Sequence, residues 1–235
     1  MKVIKSVLFD NTAEYIDQSV VVYFNYVYLF MFYSLFLTFS TSAIINVLGF
    51  SSVLMDSFLA LFIPFLPIII LLYSHFIDLK EKSMKFLFSY LSVFSLSMGL
   101  SVSMFLVNFH LVDILRSLLL TSILFLSMSI FGYMTNKNLS SLGSFLIMGL
   151  FGLIGASIIN LFLNSSSLQF SIDIITILIF SGLISYETQN LKNIFLNSRY
   201  DESLIKISLF SSIGLYLSFI NIFMAILRLF FERKE

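Results

Sequence analysis

The chain has 235 residues, 59% of them hydrophobic and 11% charged, with a formal net charge of zero and a mean hydropathy of +1.01. Soluble domains carry about a quarter charged residues, so most of this chain's surface faces lipid. The balanced charge excludes the concentrated basic face that nucleic-acid binding demands. The absence of cysteine excludes a disulfide framework, a thiolate metal site and a cysteine nucleophile.

A helix needs roughly 20 apolar residues to cross a hydrocarbon core, and irregular backbone facing lipid leaves polar groups unpaired. Lys2 and Lys5 open the chain, but Asp10, Glu14 and Asp17 precede the first long apolar run and no small-residue cleavage site follows soon after it. That run is read as a permanent span, not a removable signal peptide. Apolar length predicts an all-α membrane protein with about seven spans: Val20–Val47, Val53–Phe76, Phe86–Phe109, Val112–Met134, Ser141–Leu163, Ser171–Tyr186 and Leu204–Phe231. The sixth is the shortest, with room to extend into Glu187 and Thr188 or to begin in the Ser165–Ser167 loop. The chain is accordingly divided into a cytoplasmic segment over 1–19, one transmembrane domain over 20–231 and a short tail over 232–235.

Lysine and arginine set the orientation, because cytoplasmic loops hold the excess. With the N-terminus inside, Lys2, Lys5, Lys80, Lys82, Lys85, Lys137, Lys192, Arg199 and Lys206 share the inner side, nine of the thirteen basic residues. Arg116 lies outside. Arg228, Arg233 and Lys234 fall outside if the last segment spans fully, as its length favours, and inside if it re-enters, as the charge bias favours.

Within the spans, Pro64 and Pro67 free backbone carbonyls and predict a kink in the second. Gly143, Gly149, Gly152 and Gly155, with Ala156 and Ser144, predict that the fifth packs closely inside the bundle. Asp56, Asp113 and Asp173 each fall in the first turns of a predicted span, which favours helix capping over a functional role. Asp113 and Arg116 are spaced to pair on one helix, and Lys206 and Arg228 lie where they can snorkel to the interface.

Glu187 stands apart. It follows the apolar stretch Ile174–Tyr186 and sits with Tyr186, Thr188, Gln189 and Asn190. Two readings stand open: a half-buried carboxylate that changes protonation near physiological pH, or a wet interfacial glutamate. In the last span Gly214, Ser218 and Asn221 follow i, i+4, i+7 spacing and share one face. A polar stripe of this kind faces a bundle or a water-filled cavity, so this helix is expected to be central. Enzyme constellations are weak. His75 and His110 lie at predicted span ends and form no metal cluster, Ser144 lacks the second glycine of a nucleophile elbow, and paired intramembrane aspartates are missing. No catalytic residue or cofactor is assigned, and no enzymatic activity is expected.

Three stretches resemble the Bax inhibitor-1 family: Phe131-Gly132-Tyr133-Met134-Thr135-Asn136-Lys137-Asn138-Leu139-Ser140-Ser141-Leu142-Gly143-Ser144-Phe145-Leu146, Tyr186-Glu187-Thr188-Gln189, and Leu215-Tyr216-Leu217-Ser218-Phe219-Ile220-Asn221. Arg228 is similar to an arginine common late in the family's seventh helix. The resemblance implies six helices around a central seventh, a bacterial cytoplasmic (inner) membrane setting, and links to pH-dependent calcium leak and cell-stress control. It also implies a latch of two aspartates, one in the sixth-helix signature and one in the seventh helix, that share a proton. Here those positions are Glu187 and Ser218, and serine cannot ionise.

Two close carboxyls titrate as a coupled pair; a glutamate and a serine keep only a hydrogen bond. The resemblance implies Glu187, Ser218, Asn221 and Arg228 as the gate and ion-pathway residues. Glu187 is also expected to be at most a weak calcium ligand, since one carboxylate fewer reduces the attraction for a divalent cation. The expected partners are the bilayer, calcium or another cation, and, on the alternative reading of a non-conducting regulator, membrane proteases or stress factors.

Overall fold

The computed structural model describes residues 2–74, 82–197 and 204–230, with the side chains of 2–18, 59, 196 and 197 outside that description. Among the described residues the chain is built from α-helices: α1 Lys2–Val47, α2 Phe50–Met55, α3 Leu66–Tyr73, α4 Met84–Leu106, α5 Leu111–Met134, α6 Ser140–Leu163, α7 Ser166–Asn197 and α8 Leu204–Phe230. Six of them are long and apolar enough to cross a membrane: α1 from Ser19 onward and α4 to α8.

The second predicted span is not one helix. Between α2 and α3 the chain makes short 3-10 turns at Phe58–Leu61 and Ile63–Phe65. Pro64 sits in the first turn of the second of these, and Pro67 in the first turn of α3. Both lack an amide proton, which is harmless at a helix start and disruptive inside one, so the expected kink becomes a full break. Asp56 is correspondingly the C-cap of α2, not a first-turn residue. Gly49, at φ +73°, makes the left-handed turn that ends α1 and starts α2. Phe76, His75, Asp78 and Lys80 lie outside the described residues.

Elsewhere the predicted boundaries hold closely. Ser83 caps α4 by accepting the Phe86 amide at 3.4 Å, and His110 precedes α5 as its N-cap residue. Asp113 lies in the first turn of α5 and pairs with Arg116 at 3.5 Å, with both charges near the helix end. The sixth span takes both of its expected alternatives, a start in the Ser165–Ser167 loop and an extension through Glu187 and Thr188, and runs further still. α7 begins at Ser166 and runs to Asn197, so Asp173 stands two turns inside the helix and Glu187 well before its end.

Burial distinguishes the helices. In the most apolar window of α8, 61% of residues are buried, against 17% for α6. α8 packs against α1, α5, α7 and α4, whereas α6 lies along α7. The glycine-rich fifth span is therefore peripheral. Gly143 and Gly149 do press against α7, but a Cβ on Gly152 or Gly155 would meet nothing within 4 Å. Without a hydrophobic force between helices in lipid, close packing and hydrogen bonds must hold such a bundle. The bonds are present: Tyr216 and Thr38 share one at 2.7 Å, Tyr23 and Ser211 at 2.8 Å, and Tyr33 and Ser92 at 2.8 Å.

Candidate functional site

Four consecutive residues of α7 reach four different parts of the molecule. The ring of Tyr186 covers Gly143 of α6, where an added Cβ would fall 2.5 Å from the ring. Glu187 points to α8: Ser218 Oγ donates to its Oε2 at 3.2 Å, and a Cβ on Gly214 would lie 2.9 Å from its Oε1. Thr188 shares a hydrogen bond with Ser129 of α5 at 3.3 Å, and Ser129 is also bonded to Tyr28 of α1. Gln189 accepts the Leu139 amide at 2.8 Å and donates to the carbonyl of Lys137 at 2.8 Å, which folds the α5–α6 connection onto α7. A helix turns about 100° per residue, so neighbouring side chains necessarily diverge. This stretch uses each direction for a different contact.

Ser218 is buried and Glu187 half-buried. The contact needs Gly214 one turn earlier on α8, because any side chain there would occupy the carboxylate's place. The shared face of Gly214 and Ser218 is thus a seat for Glu187. Asn221, on the same face, instead donates to the Leu217 carbonyl of its own helix at 2.8 Å.

Arg228 is not brought to Glu187. It grips Asp173 of α7, with Nη2 at 2.8 Å and Nε at 2.9 Å from Oδ1, and stacks over the Phe105 ring at 5.5 Å. Asp173 is 2% exposed and Arg228 24%. Both sequence readings change here: Asp173 does not cap a helix, and Arg228 does not snorkel free. Gln169 donates to Asp173 at 3.1 Å and accepts from Asn160 of α6 at 2.9 Å, so the α6–α7 turn joins the network. Glu187 and Asp173 are fourteen residues apart on α7, or about 21 Å at 1.5 Å per residue. Two polar contacts therefore tie α7 to α8 at well-separated depths. The spacing of Gln169 and Asp173, i and i+4, was a readable signal for this cluster; the triple serine before it made the helix start look like loop.

Helices of membrane-crossing length, joined by buried polar contacts, define an integral, multi-pass membrane protein. Residues 19–235 match the family model described as "Inhibitor of apoptosis-promoting Bax1". The chain belongs to the Bax inhibitor-1 family. It is 41% identical over 137 residues to an uncharacterized protein of Rickettsia prowazekii, a match covering 58% of each chain. It is 34% identical over 174 residues to an uncharacterized protein of Caulobacter vibrioides, covering 74% of this chain and 69% of the other. To the Escherichia coli inner membrane protein YbhL it is 35% identical over 144 residues, covering 60% of this chain and 62% of that one. The matched stretch thus spans about three fifths of the length of the first and third of these relatives.

Proposed function

We propose that this chain is a cation leak pathway of the Bax inhibitor-1 type, with Glu187 as the acidic gate residue, Ser218 as its hydrogen-bond partner and calcium as the ion. The supporting observation is the 3.2 Å bond from Ser218 to Glu187, seated over Gly214. In this reading α8 is the central helix, the broken segment from Phe50 to Tyr73 supplies the remaining crossing, and the N-terminus lies in the cytoplasm. Asn221 and Arg228 lie further along the same helix, Arg228 in its last turn, and line or close the path beyond the gate.

The ionised carboxylate accepts the Ser218 bond and offers charge to a cation; the protonated form offers neither in the same way. Calcium flux into liposomes bearing the purified chain should therefore differ between mildly acidic and neutral pH. Glu187→Gln, fixed neutral, should hold at every pH the flux that the wild type shows at the acidic end. A Glu187→Gln protein that keeps the wild-type pH response would remove Glu187 from the gate.

A second reading, a non-conducting regulator of membrane proteases or stress factors, is favoured by the exposed face of α6. Gly152 and Gly155 stand bare there on the least buried of the six long helices, and small residues admit close helix contact in lipid. Recovery of one stoichiometric cross-linked partner, with no ion flux, would support it.

A further inference from the structure

At the end of α5 the chain forms a pocket of about 340 Å³ whose lining includes Tyr133, Asn136, Asn138, Gln189, Lys192 and Asn193. Its walls are mostly polar, and they are built, not incidental. Gln189 uses both ends of its amide to hold the 135–139 connection against α7, through the Leu139 amide and the Lys137 carbonyl. The Asn138 carboxamide oxygen accepts the Ser140 amide at 2.9 Å, which leaves its NH2 group as a spare donor.

Lys192 is exposed and makes no ion pair among the described residues, and no carboxylate lines the pocket. Glu187, one helical step from the lining residue Thr188, is turned to α8 and bonded to Ser218. Among the described residues, the lining thus combines one cation without an ion-pair partner with several amide donors.

The depth of the pocket narrows its ligand. α5 ends at Met134, and Phe131, Tyr133 and Met134 beside the opening are strongly exposed apolar or aromatic side chains, as expected where a helix leaves lipid. An exposed tyrosine at the end of a span is the pattern expected at the level of lipid phosphates. A water occupies roughly 30 Å³ of liquid, so the space holds a phosphate group with several waters.

We infer that this pocket binds a phosphate group, with Lys192 as the charged ligand and the neighbouring amides as donors. The ammonium serves as a point charge, which suits a tetrahedral anion approached from one side. The phosphate comes either from the head group of an anionic phospholipid or from solution. This assignment is independent of ion conduction.

The test uses the full chain in two arms. Nanodiscs of phosphatidylcholine with phosphatidylglycerol, followed by native mass spectrometry, report retained anionic lipid; lipid-depleted protein in detergent, titrated calorimetrically, reports binding of inorganic phosphate. Lys192→Ala should weaken whichever binding the wild type shows by about tenfold, the scale of one charge-assisted hydrogen bond. Lys192→Arg should preserve it, and Lys82→Ala, which removes a lysine elsewhere, should leave it unchanged. Retained lipid with no phosphate titration assigns the head group, and the reverse assigns the soluble anion. Equal binding by wild type and Lys192→Ala, equal loss in Lys82→Ala, or no binding in either arm would each overturn the site. Lys192 makes no described contact, so an unchanged melting curve separates lost binding from lost folding.

Discussion

Arg228→Ala should destabilise the protein by about 3–5 kcal/mol, the scale for removing one member of a buried ion pair. The guanidinium places two nitrogens within 2.9 Å of Asp173 Oδ1. Without it, a carboxylate that is 2% exposed keeps only the Gln169 amide. The reverse deletion should cost less. Arg228 is 24% exposed and rests on the Phe105 ring, so after Asp173→Asn it can turn toward water. Thermal unfolding in detergent, followed by circular dichroism, should rank Arg228→Ala below Asp173→Asn. The double variant Asp173→Leu with Arg228→Met should recover much of the loss, because no charge is then left without a partner. Equal melting temperatures for wild type and Arg228→Ala would mean that the pair does not hold α7 to α8.

The other large effect is steric. A Cβ on Gly132 would collide with the carbonyl oxygen of Ser185 and lie 2.8 Å from its Cα. These are backbone atoms and cannot swing aside. Gly132→Leu should therefore force α5 and α7 apart, weakening the bond from Ser185 to the Met128 carbonyl at 3.0 Å and that between Ser129 and Thr188 at 3.3 Å. Overpacking costs about 1–3 kcal/mol and occasionally more; the upper end is expected, because helix backbones and not side-chain tips collide. Gly152→Leu is the matched control, on α6 with nothing within 4 Å of the added Cβ. Its melting temperature should stay close to wild type or rise slightly, since leucine favours a helix more than glycine does, and a loss equal to that of Gly132→Leu would show that the collision with Ser185 is not what makes Gly132→Leu costly.

These two contrasts also show where the sequence was legible. Apolar length located the six long helices, because lipid imposes one requirement on every residue of a span. It failed where local chemistry competes: Pro64 and Pro67 turned the second predicted span into short pieces, and the serine run Ser165, Ser166 and Ser167 left the start of α7 open between Ser171 and that loop, where the helix in fact begins at Ser166. That misplaced start converted Asp173 from a core ion-pair partner into an apparent cap. Glycine content alone could not tell Gly132 and Gly143, which admit neighbouring helices, from Gly152 and Gly155, which face open space. The face shared by Gly214 and Ser218 was legible from spacing. Its partner, Glu187, was readable from its unusual position but not by geometry, since the two are 31 residues apart.

The contact of Glu187 with Ser218 is the centre of the account, and Ser218→Asp tests it most directly. Two carboxyls at that separation must titrate as a coupled pair, losing protons in two steps. On the proposed leak function, calcium flux measured across pH in liposomes should show one step in the wild type and two in Ser218→Asp. Superimposable profiles would contradict the claim that this contact governs the response.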